Sequence, residues 1–166
     1  YPIEVTSQYG GDPLSVKLIW KRVSSTPIED AVKAAQIADG VVAVVGINSE
    51  LESEESPYEK PGFFKGDRTH LDLPEDQLKL LEAVKATGKK LVVVSMSGSA
   101  LNLGWAEQQA DALLHAWYPG EEGGTAIGGV LSGRVNPSGR LPVKPPRPRR
   151  GAPPRNPRPS GEGPTT

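Results

Sequence analysis

The run Val41-Val42-Ala43-Val44-Val45 decides the fold, and an acidic loop follows it almost at once. Five consecutive apolar residues, four of them β-branched, are typical of a buried strand in a parallel sheet. The loop begins Asn48-Ser49-Glu50-Leu51-Glu52-Ser53-Glu54-Glu55 and continues to Gly66-Asp67-Arg68. In open α/β sheets, functional residues gather beyond the carboxyl ends of such strands.

The crowding of carboxylates in this loop needs a physical reason. Neighbouring carboxylates repel one another unless the loop lies in water or one of them holds a proton for chemistry. We therefore interpret one glutamate of this loop as a candidate general acid/base.

Composition excludes several classes of function. The chain has 166 residues, 36% of them hydrophobic, which is enough for one ordinary domain. Its net charge of −1 gives no electrostatic reason to expect nucleic acid or an anionic membrane as a partner. There is no cysteine, so disulfides and thiolate metal sites are excluded, and we expect no metal or cofactor. The apolar runs are too short to span a membrane, and Tyr1-Pro2-Ile3-Glu4-Val5 is not a signal peptide.

Residues 1–24 differ in pattern from the rest of the chain. Apolar residues alternate with polar ones on both sides of the turn Gly10-Gly11-Asp12-Pro13, most clearly at Val16, Leu18 and Trp20. This pattern predicts a β-hairpin with one half-buried face. Because a lone hairpin is marginally stable in water, we expect it to be the remnant of a larger sheet.

From residue 25 onward, helices and strands are predicted to alternate. Helices are expected from Thr26-Pro27 to Gly40, from Pro74 to Gly88, near 105–107 and over 125–131. Strands are expected over 41–47, 91–94 and 110–117. This alternation predicts an α/β fold, a three-layer sandwich built on a parallel sheet. Since three strands are few for that architecture and position 1 is not methionine, we expect a piece of a longer protein.

Four sequence motifs follow one another along residues 25–143. They are Lys65-Gly66-Asp67-Arg68 with Leu71-Asp72-Leu73-Pro74 and Gln77, then Leu91-Val92-Val93-Val94 with Ser97-Gly98, then Trp117-Tyr118-Pro119-Gly120-Glu121-Glu122-Gly123-Gly124, and finally Asn136-Pro137-Ser138-Gly139-Arg140-Leu141-Pro142-Val143. In kind and in order they resemble the motifs of glycoside hydrolase family 3, and residues 25–143 are similar to the C-terminal α/β-sandwich domain of a β-glucosidase or β-xylosidase. The hairpin at 1–24 is similar to the end of a protective-antigen-type β-sandwich module.

The tail over 144–166 is Pro/Arg-rich and has no apolar period, so we expect it to be disordered. It can be interpreted as a ligand for a partner domain or an anionic polymer, or as an out-of-frame end. The out-of-frame end is the favoured interpretation, because the tail departs from the family motif abruptly, between Val143 and Lys144.

The resemblance implies a division of labour between two domains. In the family, the nucleophilic aspartate lies on a TIM barrel and the acid/base glutamate lies on a loop of the second domain. A retaining glycosidase needs these two carboxyl groups only about 5–5.5 Å apart. The resemblance therefore implies an exo-acting enzyme whose partners are an oligosaccharide or aryl β-glycoside substrate and a TIM-barrel domain of the same full-length chain, and we expect residues 1–166 alone to be inactive.

The resemblance also selects the candidate site residues. Relatives carry a Glu-x-Glu pair ahead of the Asp-Arg motif, which by order alone matches Glu52 and Glu54. We predict that Glu54 is the acid/base; Glu55 is the second candidate for this role and Glu52 the third. Glu52 and Arg68 are assigned to substrate binding. Arg68 is also expected to anchor the loop, jointly with Asp67, through charge-assisted bonds.

Competing interpretations are weaker. The alternative function is a non-catalytic carbohydrate-binding or interaction module. The turn at 120–124 lacks the lysine of a phosphate-binding loop, and Ser95-Met96-Ser97-Gly98 lacks the first glycine of a nucleophile elbow. His70 and His115 have no metal-ligand spacing and are expected to be solvated or packed. Localisation is unknown from the residues, and the family implies a periplasmic or secreted protein.

Overall fold

A computed structural model describes residues 24–49, 51–52 and 61–141. The predicted hairpin (except Ser24), the tail, Glu54 and Glu55 lie outside the described residues. Nine elements follow in chain order: α1 (Pro27–Ile37), β1 (Gly40–Gly46), β2 (Phe63–Phe64), β3 (Asp67–Arg68), α2 (Glu75–Lys85), β4 (Lys90–Met96), α3 (Gly104–Gln109), β5 (Ala112–His115) and α4 (Gly123–Leu131).

The three longer strands form a parallel sheet in the order β1-β4-β5. Val41 pairs with Leu91, and Val93 pairs with Leu113. Parallel neighbours need a crossover connection, and α2 and α3 lie in the two crossovers. The predicted α/β class with a parallel sheet is confirmed.

One face of the sheet carries the hydrophobic core. Leu81 of α2 and the β4 residues Leu91 and Val93 are completely buried there, and α1 and α2 pack against each other beside β1. The opposite face of β1 is open, with Val42 52% and Val44 61% exposed. The predicted buried strand is therefore buried on one face only among the residues that the structure describes.

Both predicted ends of the third strand are wrong, and the first helix is capped differently from its sequence pattern. The third strand was expected over 110–117, but Ala110 ends α3 and Trp117 has a φ of 54°, so only Ala112–His115 pair with β4. The first helix begins after Thr26 with proline in its first turn, as predicted. However, the Thr26 side chain makes no capping bond, and the Ser24 hydroxyl instead accepts from the Thr26 N–H and donates to Asp30.

A short hairpin interrupts the stretch expected to be loop. Strands β2 and β3 pair antiparallel through Phe63–Arg68 and Phe64–Asp67. The two residues between the strands, Lys65 and Gly66, both have positive φ (50° and 92°), which is the conformation of the tight turns that match strand twist. The glycine of the Gly-Asp-Arg motif therefore makes the turn that presents Arg68.

Candidate functional site

Side chains from all three strand ends meet at the carboxyl edge of the sheet. Glu52 follows β1, Ser99 follows β4 and Tyr118 follows β5. Arg68 joins them from the β2–β3 hairpin. This is where an open α/β sheet builds its sites, because the carboxyl ends of parallel strands share one edge.

The Glu52 carboxylate is held at both oxygens. The Ser99 hydroxyl donates to Oε1 at 2.5 Å, and the Tyr118 hydroxyl donates to Oε2 at 3.4 Å. The Glu52 side chain keeps 21% of its surface exposed. The short bond from Ser99 and the longer one from Tyr118 thus restrict its orientation, and part of the side chain remains exposed.

Arg68 lies behind this carboxylate. Its Nη1 donates to the Ser99 hydroxyl at 2.8 Å and to the Ala100 carbonyl at 2.6 Å, and lies 4.0 Å from Glu52 Oε1. The Arg68 side chain is only 10% exposed. Burial lowers its pKa, while the negative charges of Glu52 and Asp72 act to raise it. A guanidinium stays charged under these conditions, so Arg68 brings a buried positive charge to the site.

One nitrogen of Arg68, Nη2, is buried and has no hydrogen-bond partner among the residues that the structure describes. Nη2 carries two N–H groups, and buried donors without a partner cost free energy. These two N–H groups therefore have capacity for further acceptors.

The start of the acidic loop is fixed by Gln77 on α2. Its Oε1 accepts from the Gly46 N–H at 2.7 Å, and its Nε2 donates to the Gly46 carbonyl at 2.8 Å. Gly46 is the last residue of β1. Gln77, which belongs to the first of the four family motifs, therefore fixes the point from which the chain leaves the sheet toward Glu52.

The far end of the loop is fixed by Asp72. The Asn102 side chain donates to Asp72 Oδ1 at 2.6 Å, and the Asn102 N–H donates to the Leu71 carbonyl, also at 2.6 Å. Asn102 lies in the segment that follows β4. Both ends of the acidic loop are thus held against the sheet.

The hydrogen bonds described around Glu52 do not include Asp67, its hairpin neighbours Phe63 and Phe64, or the two histidines. Phe63 packs against the core, whereas Phe64 and Asp67 are exposed, so Arg68 supplies the anchoring that was expected of the Asp-Arg pair. His70 is exposed beside Asp72. His115 packs edge-on against Trp117, and burial lowers its pKa.

Of the predicted site residues, the structure brings Glu52 and Arg68 together, while Glu54 and Glu55 lie outside the described residues. Sequence reasoning did not select Ser99 or Tyr118, although both stand within or beside motifs of the resemblance. Within the described ranges there is no cluster of three metal-ligating side chains and no helix long and apolar enough to cross a membrane.

A family model for the glycosyl hydrolase family 3 C-terminal domain matches residues 3–163. The chain belongs to glycoside hydrolase family 3. It is 48% identical, over 120 residues, to a periplasmic β-glucosidase of Salmonella typhimurium, covering 72% of this chain and 14% of that protein. It is 40% identical, over 129 residues, to a xylan 1,4-β-xylosidase of Xylanibacter ruminicola, covering 78% and 15%.

Solved structures of the family have the same fold. A β-glucosidase from Kluyveromyces marxianus in complex with glucose superimposes with a TM-score of 0.62 and 34% identity, covering 76% of this chain and 14% of that protein. The chain therefore spans about one seventh of the length of these relatives.

Proposed function

We propose that this chain supplies the acid/base glutamate of a retaining exo-β-glycosidase, either Glu54 or Glu55. The nucleophilic carboxylate belongs to a TIM-barrel domain of the same full-length protein. The chain without that domain does not turn over a β-glycoside. The relatives named above, a β-glucosidase and a β-xylosidase, indicate glucosides and xylosides as the substrate classes.

The observation that carries the proposal is the anchoring of Glu52 at the carboxyl edge of the sheet. Glu54 and Glu55 follow Glu52 by two and three residues. An extended chain spans at most about 3.5 Å per residue, so covalent geometry keeps both within roughly 11 Å of Glu52 between Cα atoms. This short separation along the chain supports assigning the acid/base role to the loop that carries Glu52.

The chemistry assigned to this glutamate has two steps. As a carboxylic acid it first protonates the oxygen of the departing group, while the barrel's aspartate forms a bond to the anomeric carbon. As a carboxylate it then removes a proton from water, which attacks the anomeric carbon and releases the aspartate. The proton given up in the first step is regained in the second.

Glu52 and Arg68 are assigned to the substrate in different ways. Glu52 is partly exposed and held at both oxygens, so it can accept from a sugar hydroxyl without reorganising. The Arg68 side chain is nine-tenths buried behind Glu52. Its role toward the substrate is indirect, because its positive charge orients the Glu52 carboxylate and stabilises that group in its ionised form. Because one relative is a periplasmic enzyme, a periplasmic or secreted location is part of the proposal.

The test joins a family 3 barrel domain to this chain and measures kcat/KM with 4-nitrophenyl β-glucoside and β-xyloside. Glu54→Ala and Glu55→Ala are compared with Glu82→Ala, a matched change of an exposed glutamate on α2. We expect one of the first two variants to lose about 10²–10⁴-fold, the usual contribution of a general acid/base, and Glu82→Ala to behave as wild type. If neither loses turnover, the acid/base is elsewhere and the chain is better described as a non-catalytic carbohydrate-binding module.

A further inference from the structure

The turn Ser97-Gly98-Ser99 follows β4, and each of its three residues influences the site around Glu52. Ser99 contacts both charged members of that site, Glu52 and Arg68. We propose that Ser99 is a positioning residue: its hydroxyl couples the Arg68 guanidinium to the Glu52 carboxylate and sets the orientation of that carboxylate.

The direction of the hydrogen bonds follows from the chemistry of the groups. A guanidinium N–H can only donate, so the Ser99 oxygen accepts from Arg68 at 2.8 Å. The single hydrogen of the hydroxyl is then available for Glu52 Oε1 at 2.5 Å. Arg68 itself is 4.0 Å from that oxygen, beyond hydrogen-bonding distance, so its direct contact with Glu52 is Coulombic and the hydrogen-bonded connection runs through Ser99.

The turn that carries Ser99 is itself fixed. The Ser97 side chain is completely buried, and its hydroxyl donates to the Ser99 carbonyl at 2.8 Å. That bond closes the turn over two residues and restricts the direction in which the Ser99 side chain leaves it. Ser97 therefore acts on Glu52 through Ser99.

Gly98, the middle residue of the turn, makes room for the contact with the second carboxylate oxygen of Glu52, Oε2. A Cβ at Gly98 would lie 2.4 Å from Tyr118 Cε2, so the absence of a side chain allows the Tyr118 ring to close against the turn. From there the Tyr118 hydroxyl reaches Oε2 at 3.4 Å. One three-residue turn thus positions the groups that hold both oxygens.

The positioning can be tested without activity. In the 166-residue chain labelled with ¹³C at glutamate carboxyls, the Glu52 resonance is assigned by its loss in Glu52→Gln. Ser99→Ala is expected to shift that resonance, Ser99→Thr to bring it back toward the wild-type position, and Ser25→Ala, an exposed serine outside the site, to leave it in place. Ser97→Ala is a second test of the positioning, and it is expected to shift the Glu52 resonance by less than Ser99→Ala does. An unmoved resonance in both Ser99→Ala and Ser97→Ala would overturn the proposal.

The catalytic consequence rests on the proposed function and is measured in the barrel-joined chain. Ser99→Ala removes the hydrogen bonds to both Arg68 and Glu52. It is expected to lower kcat/KM about ten-fold, the usual effect of losing a hydrogen bond to a charged group, and Ser99→Thr to recover most of the loss. Because Ser99 acts through Glu52, the double variant Ser99→Ala/Glu52→Gln should be no slower than Glu52→Gln alone. Multiplied losses in the double variant would contradict the proposal. If the Glu52 resonance shifts in Ser99→Ala while Glu52, Glu54 and Glu55 variants all keep full turnover, the positioning holds and the proposed function fails.

Discussion

The contact between Gln77 and Gly46 gives the sharpest prediction about how the fold supports the site. Gln77→Met keeps the length and the helix propensity of the side chain but removes both hydrogen bonds to the end of β1, at 2.7 and 2.8 Å. Each bond contributes about 1 kcal/mol net, and leaving the half-buried Gly46 groups unpaired adds to the cost. We expect the free energy of unfolding to fall by about 2–3 kcal/mol.

The assay is urea unfolding followed by circular dichroism, with the free energy extrapolated to water. Gln108→Met on the exposed surface of α3 is the matched control, because it makes the same chemical change at a side chain with no hydrogen bond to the described residues. We expect that variant to remain within about 0.5 kcal/mol of wild type. If Gln77→Met is no less stable than Gln108→Met, Gln77 does not anchor β1 and the start of the acidic loop is held by other contacts.

Three further predictions concern the sheet and its flank. Asp111 accepts from Lys90, from the Leu91 N–H and from Lys85, which holds the pKa of its carboxyl well below the usual range. Its stabilising contribution is therefore present above about pH 4 and is lost as the pH falls further, so the difference in Tm between wild type and Asp111→Asn should shrink in acid; a constant difference would contradict the account. Ser95→Ala should leave the free energy of unfolding unchanged or raise it by about 1 kcal/mol, because the buried Ser95 hydroxyl has no partner among the described residues; a clear loss in urea unfolding would show that it has one. Leu81→Ala, at a completely buried position, should cost about 2–5 kcal/mol in the same assay, and a loss below 1 kcal/mol would mean that the core around it is not closely packed.

The fold was predictable where a segment carries a clear apolar period. Helices α1 and α2 and strands β1 and β4 were predicted within one to three residues, because burial on the core face imposes the pattern. The hairpin β2–β3 was missed because two-residue strands have no period, and the Lys65-Gly66 turn was its only local signal. The end of β5 was missed because the apolar run continues through Trp117, whose backbone turns away from the sheet.

The site was predictable only in part, for a different reason. Glu52 and Arg68 were selected through the family motif, which needs no knowledge of contacts. Ser99 and Tyr118 reach Glu52 from 47 and 66 residues away, and such pairs depend on how the strands are ordered in the sheet. A single sequence gives no direct evidence for that order. The overlapping stretch Ser95-Met96-Ser97-Gly98 was compared with a nucleophile elbow, a comparison that does not include Ser99.

The central claim, that the acidic loop supplies the acid/base, is tested most directly by azide rescue in the barrel-joined chain. Azide is already an anion and needs no general base, so it can replace water in the second step when the acid/base is missing. With an activated aryl β-glucoside, we predict that either Glu54→Ala or Glu55→Ala loses turnover, that azide restores it, and that the product is the β-glucosyl azide, with retained configuration. Full turnover in both variants, or loss without rescue and without a glucosyl azide, would contradict the claim.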